Sequence, residues 1–188
     1  LQLNLAQAKN PLLDRWSLKA QWSKARSVLD LDQFSSPLMR ASAALPLAWS
    51  DGTLQTGDLQ AGIELQSFDL QRLSALVGTP LGGTLSVRGR LAGPLEALQP
   101  NLAISLDQPR MSSFALSELW SGRLEGGVGE GAQLEMASAS SFADGALTAD
   151  FAANGWPSSL RLKRGVGFLR LKGDQRGYRW DAAGLTLD

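Results

Sequence analysis

The chain contains no cysteine and no histidine. Without cysteine there are no disulfide staples and no thiolate metal sites, a usage that fits an extracytoplasmic compartment. Without histidine the commonest general base and the commonest metal ligand are both missing. Tyrosine occurs once, as Tyr178, and the net charge is zero, which gives no reason to expect nucleic acid as a main partner. No apolar run approaches the roughly 18–20 residues that a transmembrane helix needs. Leu1, Gln2, Leu3, Asn4 and Leu5 already alternate, with no basic-plus-apolar leader before them. The chain is therefore expected to be one piece of a larger protein, starting inside a strand.

What the sequence has instead is a two-residue rhythm. Trp16, Leu18, Ala20 and Trp22 alternate with Ser17, Lys19, Gln21 and Ser23. Met39, Ala41, Ala43, Leu45, Leu47 and Trp49 form a second series, and Leu59, Ala61, Ile63 and Leu65 a third. Leu81, Gly83, Leu85, Val87, Gly89 and Leu91 form a fourth. Successive strand side chains point to opposite faces, so each run makes one apolar face and one wet face. Such runs fall near 1–8, 16–23, 27–33, 38–49, 53–67, 81–92, 101–107, 113–125, 131–140, 145–153, 159–164, 166–173 and 177–187. Asp51-Gly52, Asp144-Gly145 and Asn154-Gly155 are two-residue turn signals between them. Antiparallel hairpins in a meander are the natural reading. With 35 leucines against 5 valines and 2 isoleucines, the apolar face is softer than the β-branched and aromatic faces of tight sandwiches. A GC-rich coding bias toward Leu and Ala would leave the same composition.

Residues 68–78 break the rhythm. Leu70, Leu73, Leu76 and Val77 recur at helical spacing, with Asp69 placed to cap the start and Gly78 to end it. The spacing predicts a short amphipathic helix over 69–77, a connector that packs its leucines on the sheet. Charge is uneven as well. Residues 161–180 carry Arg161, Lys163, Arg164, Arg170, Lys172, Arg176 and Arg179 against Asp174 alone, whereas residues 1–160 have a net charge of −4. Such a run is the solvated face of two hairpins, or a stripe that meets anionic headgroups or an acidic partner.

A search for chemistry comes back empty. Gly126-Gly127-Val128-Gly129-Glu130-Gly131 lacks the lysine and Ser/Thr of a P-loop, and an alternating strand follows where a helix N-terminus should be. It reads as a loop. The serines have no histidine to activate them, and no lysine is placed beside a particular one. Asp30 and Asp32 alternate with Leu29 and Leu31 and read as a solubilising face rather than a glycosidase pair. Trp16 and Trp22 have Leu18 and Ala20 between them on the same face, which favours core or lipid contact over sugar stacking. No dense acidic loop offers a calcium site. The expectation is a non-enzyme with no catalytic residue, metal or cofactor.

Three arrangements can cover the apolar face: a second sheet, closure into a barrel, or an open trough whose lining contacts lipid. An outer-membrane barrel would need aromatic girdles, and the six tryptophans are too scattered for that. The segment from Phe68 to Pro94 reads as a short helix followed by a strand in which Gly83, Leu85, Gly89, Leu91 and Gly93 fit Gly-x-Leu-x-x-x-Gly-x-Leu-x-Gly; a Pro-containing link and a strand at 101–107 follow. This pattern resembles the TamB family of the AsmA-like superfamily, and the run from Gly177 to Leu187 is similar to that family's strand ends. The specific match covers about 30 residues.

The resemblance implies an all-β fold: a long curled antiparallel sheet forming an open hydrophobic groove (a β-taco), here a single segment of a much longer protein, 1–188, with the helix 69–77 inside it. It implies a periplasmic section of a bridge anchored in the inner membrane. Such a bridge moves phospholipid between inner and outer membranes and supports outer-membrane biogenesis and protein assembly. Phospholipid acyl chains and an outer-membrane barrel of the Omp85 type would be the partners. About twelve strands at ~4.8 Å per step span ~55–60 Å, too short for the whole crossing. The expected lipid lining is Leu45, Leu47, Ile63, Leu65, Leu85, Val87, Leu91, Leu102, Ile104, Leu106, Leu147 and Phe151; the same residues would equally build an ordinary sealed core. Two rivals remain at this point. One is an adhesin-like β-repeat spacer with a closed core and no lipid. The other, a sandwich hydrolase or sugar-binding module, needs a convergent polar cluster that the sequence does not offer.

Overall fold

The alternating runs become strands of one antiparallel sheet. The computed structural model describes residues 2–7, 15–25, 27–112, 114–116, 118–127, 131–138, 145–152, 156–174 and 176–183. Its strands are β1 (Gln2–Gln7), β2 (Trp16–Ser23), β3 (Val28–Ser35), β4 (Met39–Ser50), β5 (Thr53–Thr56), β6 (Leu59–Asp69), β7 (Leu81–Gly93) and β8 (Gln99–Met111). They continue as β9 (Phe114–Ala115), β10 (Leu119–Gly127), β11 (Gly131–Ser138), β12 (Gly145–Phe151), β13 (Pro157–Arg164), β14 (Gly167–Asp174) and β15 (Gly177–Ala183). Thirteen of them are hydrogen-bonded side by side in chain order; β5 pairs only with β4, and β9 only with β8. The fold is therefore the all-β meander that the rhythm predicts.

The register decides which side chains share a face, because directly opposed residues point the same way. One row runs Leu5, Leu18, Phe34, Ala41, Ile63 and Gly89 across β1, β2, β3, β4, β6 and β7. It continues through Leu102, Leu124, Leu134, Ala149, Leu160, Leu171 and Trp180 to β15. Gly89 is the only member without an apolar side chain. On the opposite face Arg40, Glu64 and Arg88 stand opposite one another in turn, and Arg123 faces Glu135. Among the described side chains one face is apolar and the other mostly polar or charged.

Two expected strands divide. The run at 53–67 splits into β5 and β6 because β4, at twelve residues, serves two partners. Its first half pairs with β6 and its last four residues with β5, so the β4–β5 hairpin projects beyond the sheet. Asp51 and Gly52, with φ of 53° and 77°, make its turn, as expected of that dipeptide. The run at 113–125 splits because the chain pairs briefly as β9 and then turns at Leu116, whose N–H donates to the Pro109 carbonyl. Asp144, Asn154-Gly155, Val128–Glu130, Gly184 and Leu185–Leu187 lie outside the described residues.

The helix forms where expected, as a 3-10 turn (Leu70–Leu73) running into α1 (Ser74–Val77). The Asp69 carboxylate accepts the Gln71 N–H at 2.9 Å, and Gly78 closes the element with φ 67°. The 3-10 turn packs on β7. Leu70 and Leu73 are half-buried, but Leu76 is 71 % exposed, so the expectation that all its leucines pack on the sheet is wrong for Leu76. A two-turn element has no third turn to hold its far end over the strand.

β-Bulges interrupt the register between Leu31 and Phe34 in β3, Leu65 and Phe68 in β6, and Gly82 and Thr84 in β7. The β6 and β7 bulges sit toward the same end of the sheet, the β3 bulge lies mid-strand, and a further shift between Asp150 and Phe151 lies toward the other end. Ser67 and Gln108, in β6 and β8, take φ of 46° and 47°. Bulges bend strands and raise their twist, so the sheet bends locally at each of these places. Curvature is also tight at β10: β8 and β11, on either side of it, approach within 8 Å at their Cα atoms. A β-carbon on Gly122 would run into the Glu135 carbonyl.

Candidate functional site

The apolar face is the candidate site. All twelve expected lining residues are described, and each is half-buried: none is sealed and none is fully exposed. Leu85, Leu106, Val87, Ile104, Ile63, Leu65, Leu91 and Leu102 share the face by register across β6, β7 and β8. Leu147 and Phe151 stand on it in β12, opposite Met136 and Ala132. Leu45 faces Leu29 of β3, and Leu47 lies beyond it where β4 pairs with β5. Trp49 and Leu54 extend the same face onto the projecting hairpin, and Trp49 is 73 % exposed.

One cluster is sealed, and Phe68 of β6 is buried apart from it. Leu116, Trp120, Met136 and Leu162 are buried together, and Ile104, Leu106, Leu134, Leu147, Leu160 and Leu169 pack against them. Of the expected lining, Ile104, Leu106 and Leu147 thus flank a closed core, while the other nine residues lie outside it. Trp120 is 1 % exposed and its ring lies where a β-carbon on Gly145 would be. The indole Nε1 and the Ser138 hydroxyl are buried there with no hydrogen-bond partner among the described residues. Beside them Arg164 meets Glu118, with Nε–Oε1 at 3.0 Å and Nη2–Oε2 at 3.3 Å. The shorter contact is an ion pair without hydrogen-bond alignment. Arg164 belongs by register to the apolar face, opposite Gly145, so the expected solvated stripe loses one of its seven members to this core edge. The other six are exposed.

Sequence reasoning left out residues on the same face with the same exposure. Leu18, Phe34, Leu134, Leu160 and Leu171 are half-buried in the continuous row, and their alternation was a sufficient signal. Trp16 stacks on Phe34 with ring centroids 5.7 Å apart, and Trp16 and Trp22 are half-buried on this face. Asp30 lies on the polar face opposite Gln21 and Ala44; the side chain of Asp32 is outside the described set. Gly127 pairs with Gly131 across the glycine-rich hairpin, and β11 follows directly. Among the described residues no helix N-terminus is present there to hold a phosphate.

Concavities also exist on the polar side. A cleft of about 540 Å³ is bordered by Glu64, Arg88 and Arg123, and one of about 1010 Å³ by Arg170, Lys172 and Arg179. Among the described residues no group of three or more acidic side chains could hold a metal ion, and no helix is long and apolar enough to cross a membrane. No family model matches the chain, and neither a curated protein nor a solved structure matches it significantly.

Proposed function

We propose that the chain is a section of a periplasmic β-groove bridge of the TamB kind, shielding phospholipid acyl chains as they move between inner and outer membranes. The observation that carries this reading is one apolar face, continuous through thirteen strands, most of whose large side chains stay half-exposed outside Phe68 and the cluster around Trp120. Contiguous apolar surface of more than a few hundred Å² marks an interaction site in a soluble protein. An acyl chain laid on it is removed from water at roughly 0.8 kcal/mol per CH₂, with no directional bonds to break as it slides. Headgroups stay at the wet ends of the strands. No side chain performs chemistry. Attachment to an inner-membrane anchor and assembly with an Omp85-type barrel belong to the same proposal through the family resemblance.

A second reading, a β-repeat spacer with a closed core, is favoured by the sealed cluster around Trp120. One experiment separates the two. A photo-crosslinking side chain is placed at Leu85, half-buried on the apolar face, and at Arg88, on the charged face. Lipid is then extracted from the purified chain and identified by mass spectrometry. The bridge gives phospholipid captured at position 85 and none at 88. Absence of both extracted lipid and crosslink at 85 establishes the spacer instead.

A further inference from the structure

The charged face changes character along the sheet. In its middle, opposite charges face each other: Glu64 stands between Arg40 and Arg88 and pairs with Arg88 at 3.0 Å. Over β13–β15 the register sets Arg161 opposite Arg170 and Lys172 opposite Arg179, while Arg170 faces Asp181 on its other side. Directly opposed like charges destabilise a sheet. Arg161, Lys163, Lys172 and Arg179 are exposed and make no ion pair among the described residues. Phe168 stands among them opposite Lys163, its ring 4.8 Å beneath the Arg170 guanidinium. A cleft of about 1010 Å³ opens beside Arg170, Lys172 and Arg179, and Asp174 and Asp181 also border it.

We infer that this basic cleft on β14–β15, with Arg161 and Lys163 of β13 beside it on the same face, docks an extended acidic polypeptide. The patch lies on the face opposite the apolar lining, so lipid seated on that lining does not reach it, and the inference stands apart from the proposed lipid path. A concave site fits an extended chain better than a flat membrane. Spacing agrees too. Arg161 and Lys163 on β13, like Arg170 and Lys172 on β14, are two residues apart, about 6.7 Å along a strand. That is the repeat at which alternate side chains of an extended peptide fall on one side. Phe168 adds an apolar contact between the charges.

The test is fluorescence anisotropy of two labelled decapeptides with the 188-residue chain, one alternating Glu-Thr and the other carrying five Glu followed by five Thr. The alternating peptide is expected to bind at least severalfold more tightly than the block peptide. Lys172→Ser combined with Arg179→Ser is expected to weaken it about tenfold, as the loss of two exposed charge contacts gives. Lys19→Ser, at the far end of the charged face, leaves binding unchanged. Because the double variant relieves like-charge contact, its thermal midpoint stays at or above the parent's, which separates lost binding from lost folding. Equal binding of the two peptides overturns the inference, as does an unaffected double variant. It is also overturned if the chain floats with phosphatidylglycerol vesicles through Lys172 and Arg179 and leaves the peptide unbound.

Discussion

Trp120 occupies the most buried point of the apolar face, with its ring over Gly145 and its Nε1 lacking a described partner. Its contribution is therefore packing, opposed by an unsatisfied donor. Trp120→Ala leaves a large cavity and is expected to lower stability by about 3–5 kcal/mol. Trp120→Phe keeps most of the ring contact and removes the orphaned N–H, whose desolvation costs about 1–3 kcal/mol. The Phe variant should then lose less than half as much. Urea unfolding of both variants checks this, and equal losses would mean that the indole N–H is bonded after all. Alternation in 113–125 already put Trp120 on the apolar face. That it seals the face instead of lining it was not legible, because Ser138 and Gly145, which make room for the ring, are distant in sequence.

At the scale of elements, the connector between β9 and β10 matters most. It carries Leu116 into the core and holds Glu118 against Arg164 of β13, with the two side chains 8 % and 19 % exposed. Removing one partner of a buried pair strands the other, so Glu118→Ala should destabilise by about 3 kcal/mol. Replacing both, as Glu118→Leu with Arg164→Met, should return stability to near that of the parent, since apolar packing substitutes for a desolvated ion pair. Denaturant titration of the single and double variants measures the difference. A double variant as unstable as Glu118→Ala would show that the pair holds the connector by more than charge. The helix over 69–77 was legible from Asp69 and Gly78 because caps are local. The division of 53–67 and 113–125 was not, because it depends on which neighbour each strand half meets.

For the whole molecule, strands make ladders almost only with their neighbours in sequence, so stability is expected to vary along the sheet as it does in repeat proteins. The closed core ties β10, β11 and β13 together, whereas β2–β4 have a half-exposed apolar face. Native-state hydrogen exchange should therefore protect β10–β13 more strongly than β2–β4, with the outer strands opening first. Uniform protection throughout would indicate a single cooperative unit and a face covered along its full length.

The sequence by itself determined where the strands run, which residues share a face, and that hairpins connect neighbours, since alternation, turn dipeptides and helix caps act over a few residues. Only the tertiary structure decided which part of the apolar face closes over itself and which stays accessible. Parity tells a side chain which way to point and says nothing of what lies above it. That depends on contacts such as Arg164 with Glu118, 46 positions apart, and on the bend that brings them together.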